Sequence, residues 1–196
     1  MSADLGWVET PTSLANLLAD AAQCAPLCRV LDPSAGRGAL VRAALARGSL
    51  VTAVELDAGR AAHLRATTDP ATVRVFEEDF LALHADDLPS HHIVLMSPPF
   101  RTHDRAHADL AHVAHATRFL ARYGRLVAIM HARLLDPAAP LDVVAFHAAL
   151  AFLGARVQRL PVDAFHEAGG TAPCVLVTLD GPLAEPFESL WRPDEH

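Results

Sequence analysis

The sequence predicts an α/β domain, in which a mostly parallel sheet is covered by helices on both faces. Short and nearly continuous apolar segments alternate along the chain with amphipathic helical segments, which is the pattern of strands buried on both sides. The first apolar segment leads into a glycine-containing turn and then into a helix. Two late strands bracket the Gly169-Gly170 turn, so we expect a hairpin that adds an antiparallel strand.

Each predicted strand is a short run of mainly apolar residues, and each predicted helix is rich in residues of high helix propensity. In chain order, the strands are Cys28–Leu31, Leu50–Val54, Val73–Phe76, His92–Met96, Arg125–Met130, Arg156–Leu160 and Val175–Leu179. The helices are Ser13–Gln23, Ala39–Arg47, Ala58–Arg65, Phe80–Ala85, His107–Ala121 and Leu141–Leu153. The order therefore alternates between strand and helix as far as the fifth strand.

The length of 196 residues fits one domain. We place this domain at residues 1–180 and a tail rich in proline and acidic residues at residues 181–196. Phe187 and Trp191 are four residues apart in that tail, and we expect them to pack back onto the domain.

Composition argues against a membrane protein and against a strongly basic binder of nucleic acid. Hydrophobic residues make up 52% of the chain, yet no apolar run reaches the ~18 residues that a membrane helix needs. The N-terminus lacks the basic start and apolar core of a signal peptide, so we expect a cytoplasmic protein. The formal net charge of −7 disfavours nucleic-acid binding without excluding it, because local patches matter more than totals.

The segment Ser97-Pro98-Pro99-Phe100, directly after the strand His92–Met96, carries the clearest chemical signal. Two prolines fix φ and supply no N–H, so the turn is stiff and its carbonyls remain free to accept hydrogen bonds. A planar amino group suits this rim, because it donates to the Ser97 hydroxyl and the carbonyls and stacks on the Phe100 ring. The alternative at this point is a Pro-rich turn without a function.

A second motif, Asp32-Pro33-Ser34-Ala35-Gly36-Arg37-Gly38-Ala39-Leu40, joins the first strand to the next helix. Glycine tolerates positive φ and lets the backbone approach a ligand, and the helix N-terminus offers free N–H groups to an anion. The full dinucleotide fingerprint is not present, because Val41 occupies the position of the third glycine. Acidic residues follow the next two strands, namely Glu55 and Asp79. An acid at the end of the second strand binds ribose hydroxyls in nucleotide-binding folds.

The order Asp-Pro-Ser-Ala-Gly-x-Gly, Val-Glu-Leu-Asp, Glu-Asp-Phe and Ser-Pro-Pro-Phe resembles the class I S-adenosylmethionine-dependent methyltransferases. Within them it resembles the amino-methylating branch, whose fourth motif reads Asn/Asp/Ser-Pro-Pro-Tyr/Phe. Trp7-x-x-Thr10-Pro11 is similar to the segment before the first motif of adenine-specific enzymes. The segments Asp109–Met130 and Ala164–Thr171 are similar to small bacterial and phage methyltransferases. The resemblance implies a Rossmann-like, doubly wound seven-stranded sheet with a C-terminal antiparallel hairpin strand.

The resemblance also implies S-adenosylmethionine as the cofactor and a role for each motif residue. The residues that it assigns to the cofactor are Thr10, Asp32, Pro33, Ser34, Ala35, Gly36, Gly38, Leu40, Glu55, Leu56, Asp79 and Phe80. Those that it assigns to methyl transfer are Ser97, Pro98, Pro99 and Phe100, and those that it assigns to the substrate are Phe100, His103 and Phe165. Glu55 is expected at the ribose hydroxyls, Asp79 at the adenine amino group, and Thr10 near the methionine carboxylate.

The methyl acceptor stays open at this stage. The Thr-Pro segment and the motif order favour adenine N6 in DNA, whereas Ser97 is more typical of cytosine-N4 enzymes. Ribosomal RNA, a protein glutamine and a small amine are alternatives for the same rim. A non-catalytic cofactor-binding regulatory subunit and a nucleotide-dependent oxidoreductase are alternatives from other classes. A partner subunit for target recognition is a further expectation.

Twelve histidines raise the hypothesis of a metal site, and the pairs His103/His107 and His112/His115 have helical spacing. A closed metal site needs further ligands and supporting hydrogen bonds, and the three cysteines form no zinc pattern. We therefore predict no metal, and the resemblance places His112 and His115 on a packing helix.

Overall fold

The computed structural model describes residues 8–166, 169 and 171–191. Four positions of the similar segments, Trp7, Glu167, Ala168 and Gly170, lie outside the described residues, as do residues 192–196 of the tail.

Seven strands form one sheet. They are β1 Arg29–Asp32, β2 Leu50–Val54, β3 Val73–Phe76, β4 His91–Met96, β5 Leu120–His131, β6 Arg156–Arg159 and β7 Cys174–Asp180. Their order is β3-β2-β1-β4-β5-β7-β6. Strand β7 runs antiparallel to both neighbours, and the other pairs are parallel. This confirms the predicted doubly wound sheet with its C-terminal antiparallel strand. The order reverses between β1 and β4, where ligands bind in open α/β sheets.

Helices cover both faces of this sheet. They are α1 Thr12–Ala21, α2 Ala39–Leu45, α3 Ala58–Thr67, α4 Ala108–Ala116, α5 Leu141–Phe152 and α6 Phe187–Leu190. Short 3-10 helices lie at Phe80–Ala82, Ala85–Asp87, Thr117–Phe119 and Ala132–Leu135. One apolar core includes Leu18, Val41 and Leu64, and the core on the other face includes Phe119 and Phe146. Across the described residues, we find no helix with the length and apolar character to cross a bilayer.

The helix predicted over His107–Ala121 is shorter than expected. Helix α4 ends at Ala116, and β5 begins at Leu120, although we predicted this strand from Arg125 onward. Pairing between β4 and β5 is irregular at this point, and Gly124 lies in the irregular part of β5. A Cβ atom on Gly124 would lie 3.0 Å from three main-chain carbonyl oxygens, two of them on β4, so the close approach of the two strands favours glycine.

The tail packs back onto α5, as predicted. Phe187 and Trp191 are both buried, and each ring centroid lies 5.0 Å from that of Phe146. The indole Nε1 of Trp191 donates to the Asp142 carbonyl oxygen at 2.9 Å. This segment therefore extends the hydrophobic core on the α5 side of the sheet.

Candidate cofactor and acceptor site

The loops that follow the carboxyl ends of β1, β2, β3 and β4 enclose one cavity of about 880 Å³. Small-molecule sites commonly have volumes of ~300–1,000 Å³. The predicted residues on the cavity wall are Pro33, Ser34, Glu55, Leu56, Asp79, Phe80, Ser97, Pro98, Pro99, Phe100, His103 and Phe165. The remaining predicted residues, all buried and off the wall, are Thr10, Asp32, Ala35, Gly36, Gly38 and Leu40. The cofactor motif and the Ser-Pro-Pro-Phe rim therefore face the same space.

Two glycines shape the turn between β1 and α2. Gly36 and Gly38 have φ values of +57° and +86°, a backbone region that other L-residues rarely adopt. A Cβ on Gly38 would also lie 2.7 Å from Cδ2 of Leu64. This conformation brings the Gly36 N–H within 2.7 Å of Oε2 of Glu55, to which it donates. The turn and the end of β2 are thereby joined directly.

Glu55 is held by main-chain and side-chain donors, although it lines the cavity. Its side chain is only 6% exposed. Its Oε1 accepts from the Asp57 N–H at 2.8 Å and pairs with Arg60 Nη2 at 2.9 Å. Its Oε2 accepts from the Gly36 N–H, and a carboxylate oxygen has two lone pairs, which leaves acceptor capacity toward the cavity. The sequence analysis did not predict the contact between Arg60 and Glu55. The five-residue spacing from the end of β2 into α3 was the signal that could have indicated it.

Two buried polar atoms beside the glycine turn have no hydrogen-bond partner among the described residues: Oδ2 of Asp32 and Oγ of Ser34. Most buried polar groups are hydrogen-bonded, so such atoms indicate a place where a polar ligand completes the bonding. The pKa of Asp32 is raised to about 8, mainly by burial and to a smaller extent by the charge of Glu55, while a hydrogen bond from the Ser34 N–H lowers it. A cationic group near Asp32 would favour its ionised form.

The wall beyond Glu55 suits a planar ring. Leu56 is apolar yet 70% exposed on this wall. Asp79 is exposed beside it, and its Oδ1 accepts from the Leu81 N–H at 3.0 Å, which leaves the other oxygen to accept from a ligand. The ring of Phe80 is mostly committed to the core, since its centroid lies 5.2 Å from that of Phe119 and 4.9 Å from that of His115.

The acceptor rim continues directly from β4. Ser97 and Phe100 are half-buried on the wall, and no described residue hydrogen-bonds the Ser97 hydroxyl. The Phe100 ring meets His131 edge-on, with centroids 5.6 Å apart. A hydroxyl group and an aromatic ring therefore lie next to each other on the cavity wall.

Charge divides the cavity into two parts. The wall near the cofactor motif carries the acids Glu55, Asp57, Glu78 and Asp79, of which Glu55 is paired with Arg60. The wall after Phe100 carries Arg101, His103, Asp104 and Arg105, all exposed. The acidic part favours a cationic ligand, and the part after Phe100 has more basic than acidic side chains.

The ring nitrogens of His112 and His115 lie against main-chain carbonyl oxygens. His112 Nδ1 lies 2.8 Å from the Ala108 carbonyl oxygen, and His115 Nε2 lies 3.0 Å from that of Leu83. Burial lowers the pKa of both imidazoles, so they are neutral donors to these carbonyls near pH 7. Within the part of the chain that the structure describes, no cluster of three His, Cys, Asp or Glu residues is placed to hold a metal ion.

No protein-family model matches the chain. Ribosomal RNA small subunit methyltransferase A of Thermosynechococcus vestitus is 37% identical over 92 residues, which are 47% of this chain and 34% of that protein. The methyltransferase subunit of a type I restriction-modification system from Streptococcus thermophilus has a TM-score of 0.75 and 17% identity, over 94% of this chain and 47% of that one. TrmN from Thermus thermophilus has a TM-score of 0.62 and 24% identity, over 86% of this chain and 48% of that one.

The fold is therefore that of the class I S-adenosylmethionine-dependent methyltransferases, as the sequence motifs predicted. The chain spans about a third of the length of the curated relative and about half of each of the two solved structures.

Proposed function

We propose that this protein is an N-methyltransferase that transfers a methyl group from S-adenosylmethionine to an exocyclic amino nitrogen of a nucleobase. The observation that supports the proposal most is that Ser34 and Glu55 line the same cavity as Ser97 and Phe100. The two halves of a group-transfer reaction, a donor site and an acceptor site, share this space.

The residues of the first half fit S-adenosylmethionine. Asp32 Oδ2 and Ser34 Oγ are buried polar atoms without a described partner, and they suit the polar groups of its methionine half. Glu55 retains acceptor capacity for ribose hydroxyls, and Asp79 does so for an amino group. When bound, this cofactor supplies a methyl group that is activated by the adjoining positively charged sulfur.

The residues of the second half prepare the nitrogen that receives the methyl group. The lone pair of an aromatic amino group is delocalised into its ring, so the group is a poor nucleophile. The Ser97 hydroxyl and the Pro98 carbonyl accept its two N–H bonds, which localises the lone pair and aims it at the methyl carbon. A new N–C bond would form as the bond between sulfur and the methyl carbon breaks, S-adenosylhomocysteine would leave, and the displaced proton would pass to water. Positioning and fixed dipoles supply most of the rate gain in such a site.

A nucleic acid is the acceptor that we favour, and adenine N6 in DNA is the first candidate. Phe100 offers its ring to a base, an interaction worth ~1–3 kcal/mol. Arg101 follows it directly, is exposed, and makes no ion pair with any described residue, which suits a flanking phosphate. The similarity to a type I restriction-modification subunit supports DNA, and it leads us to propose that a partner subunit helps to recognise the target. A base in duplex DNA must be flipped out to reach the rim.

Ribosomal RNA is the second candidate, supported by the relative named ribosomal RNA small subunit methyltransferase A. A single-stranded or looped RNA presents an unpaired base without the cost of flipping. The same rim would then accept the amino group of an RNA base.

Incubation with tritiated S-adenosylmethionine tests the proposal. Unmethylated genomic DNA, unmodified ribosomal RNA, total protein and a set of small amines are offered separately, to the natural protein and to Ser97→Ala. We expect label in DNA or in RNA, and a strong loss of label with Ser97→Ala. Label in the protein or amine fraction instead would show that the acceptor is not a nucleobase. Tight cofactor binding without label in any fraction would favour a regulatory subunit.

A further inference from the structure

A buried ion pair lies directly behind the acceptor rim. Asp109 of α4 is 1% exposed and pairs with Arg133, which follows β5 and whose side chain is 17% exposed. The second oxygen of Asp109 accepts from the His131 N–H at 3.1 Å. Nδ1 of His131 in turn accepts from the Arg133 N–H at 3.0 Å. These three residues, which we call the Asp109 bracket, form one connected network.

The Asp109 bracket contacts Phe100 on two sides. Arg133 Nη2 donates to the Phe100 carbonyl oxygen at 3.4 Å, and the His131 ring meets the Phe100 ring edge-on at 86°. None of the three bracket residues is on the cavity wall. Its contacts with Phe100 give the Asp109 bracket an indirect route to an acceptor in the cavity.

Stability alone is a poor explanation for this network. Moving two charges out of water can cost as much free energy as their attraction in the interior returns. Apolar replacements of such pairs are therefore often neutral or stabilising. Burial raises the pKa of Asp109 even though Arg133 lies beside it, and Arg133 Nε is buried without a described partner. The planar guanidinium of Arg133 can hydrogen-bond the Asp109 carboxylate and the Phe100 carbonyl at the same time. It therefore fixes where the Phe100 carbonyl lies.

Phe100 needs such support more than the residues before it. Two prolines stiffen the rim as far as Pro99, but the loop after Phe100 is exposed on the wall side. Loops with few buried contacts open most easily. A displacement of ~1 Å between reacting groups costs ~100-fold in rate, so the ring needs an anchor from behind.

We propose that Asp109, His131 and Arg133 are positioning residues, which fix the ring and carbonyl of Phe100 so that a stacked amino acceptor meets the methyl group. This inference rests on the proposed function for its effect on turnover. Its effect on Phe100 itself does not depend on which acceptor is used.

The test uses the full chain with 4-fluorophenylalanine at position 100, observed by fluorine NMR, together with turnover on the nucleic acid that takes up label. Arg133→Lys keeps a charge beside Asp109 on a side chain without the planar fork, which should weaken the bond to the Phe100 carbonyl. Asp109→Asn keeps the shape without the charge. The matched control is Arg47→Lys. Arg47 is 20% exposed and also joins a carboxylate, that of Asp20, to a main-chain carbonyl, but it lies off the cavity wall.

We expect one narrow fluorine signal in the natural protein and in Arg47→Lys, and a broadened or divided signal in both bracket variants. Turnover should fall ~10- to 100-fold in those two, while affinity for S-adenosylhomocysteine changes by less than about twofold. An unchanged signal and unchanged turnover in Arg133→Lys would overturn the proposal, and so would an equal loss in Arg47→Lys. If the natural protein labels no acceptor, the proposed function fails, but the fluorine spectra still decide whether the Asp109 bracket fixes Phe100.

Discussion

The two halves of the cavity are built in different ways. In the cofactor half, Glu55 accepts from the N–H groups of Gly36 and Asp57 and pairs with Arg60, and all three partners lie within 19 residues of it along the chain. In the acceptor half, Phe100 is supported by Arg133, which lies 33 residues further along the chain. The cofactor half is therefore encoded mainly by local motifs, whereas the acceptor half depends on how distant elements pack.

The halves also differ in charge, which separates their expected ligands. Acids dominate the cofactor wall, and arginines follow Phe100 on the acceptor wall. The proposed cationic cofactor and anionic acceptor would each meet a wall of opposite sign. A substitution in the cofactor half should therefore change cofactor binding and leave acceptor binding unchanged, and a substitution in the acceptor half should do the opposite.

Ser97→Ala separates the halves most sharply. It removes a hydroxyl acceptor that no described residue uses, so we expect turnover to fall by ~10- to 1,000-fold, the scale of losing aligned polar contacts in a transition state. Affinity for S-adenosylhomocysteine, measured by calorimetry, should stay the same. Ser34→Ala, on the cofactor wall, should instead weaken the affinity for S-adenosylhomocysteine. Equal losses of affinity in the two variants would contradict the division.

Phe100→Ala should weaken use of the acceptor. Loss of base stacking is worth ~1–3 kcal/mol, or ~5- to 150-fold, in KM or turnover. Phe100→Tyr, which keeps the ring, should remain close to the natural protein. Phe152→Ala, which removes an exposed ring from α5, serves as the control. Unchanged kinetics in Phe100→Ala would mean that this ring only packs.

Glu55→Ala should act on the cofactor half alone. It removes the carboxylate proposed for the ribose hydroxyls and leaves the Gly36 N–H and Arg60 without this acceptor. Hydrogen bonds to charged groups contribute ~1.5–3 kcal/mol, so cofactor affinity should fall ~10- to 100-fold. Glu78→Gln removes an exposed charge from the same wall and should change affinity far less. Calorimetry with S-adenosylmethionine decides between the two results.

The pH dependence of cofactor affinity reports on Asp32. Its pKa of about 8 means that the buried carboxyl is mostly protonated at neutral pH without a ligand. A cationic cofactor favours the ionised form, so affinity should rise with pH, by at most ~tenfold per unit, and level off above about pH 8. Because the folded pKa is raised from 3.8 to about 8, protonated Asp32 stabilises the fold, and this stability is lost as pH rises from about 4 to about 8. Calorimetry from about pH 6 to about pH 9 should give a flatter profile for Asp32→Asn.

The sequence could predict the features that depend on neighbouring residues, but not those that depend on the packing of distant elements. Strand patterns and the turn at Gly36 and Gly38 predicted the sheet and the cofactor wall, because each depends on neighbouring residues. The start of β5 at Leu120 was missed, since it depends on a close approach to β4 at Gly124. Sequence spacing gave no signal for the Asp109–Arg133 pair.

Phe80 shows a limit of motif reasoning at a single position. The sequence placed it beside the cofactor ring, and it does line the cavity. Its own ring, however, is mostly packed against His115 and Phe119. Local order along the chain cannot reveal how one side chain divides its surface between the core and a cavity.

The most direct test of methyl transfer to an amino nitrogen is the position of the methyl group in the product. The natural protein and Ser97→Ala are incubated with deuterium-labelled S-adenosylmethionine and the nucleic acid that accepts label, and the digested nucleosides are analysed by mass spectrometry. Our account predicts the labelled methyl on an exocyclic nitrogen, with N6-methyladenine as the first candidate, and little of this product from Ser97→Ala. A methyl group on carbon, on oxygen or on a ring nitrogen, or full activity of Ser97→Ala, would contradict it.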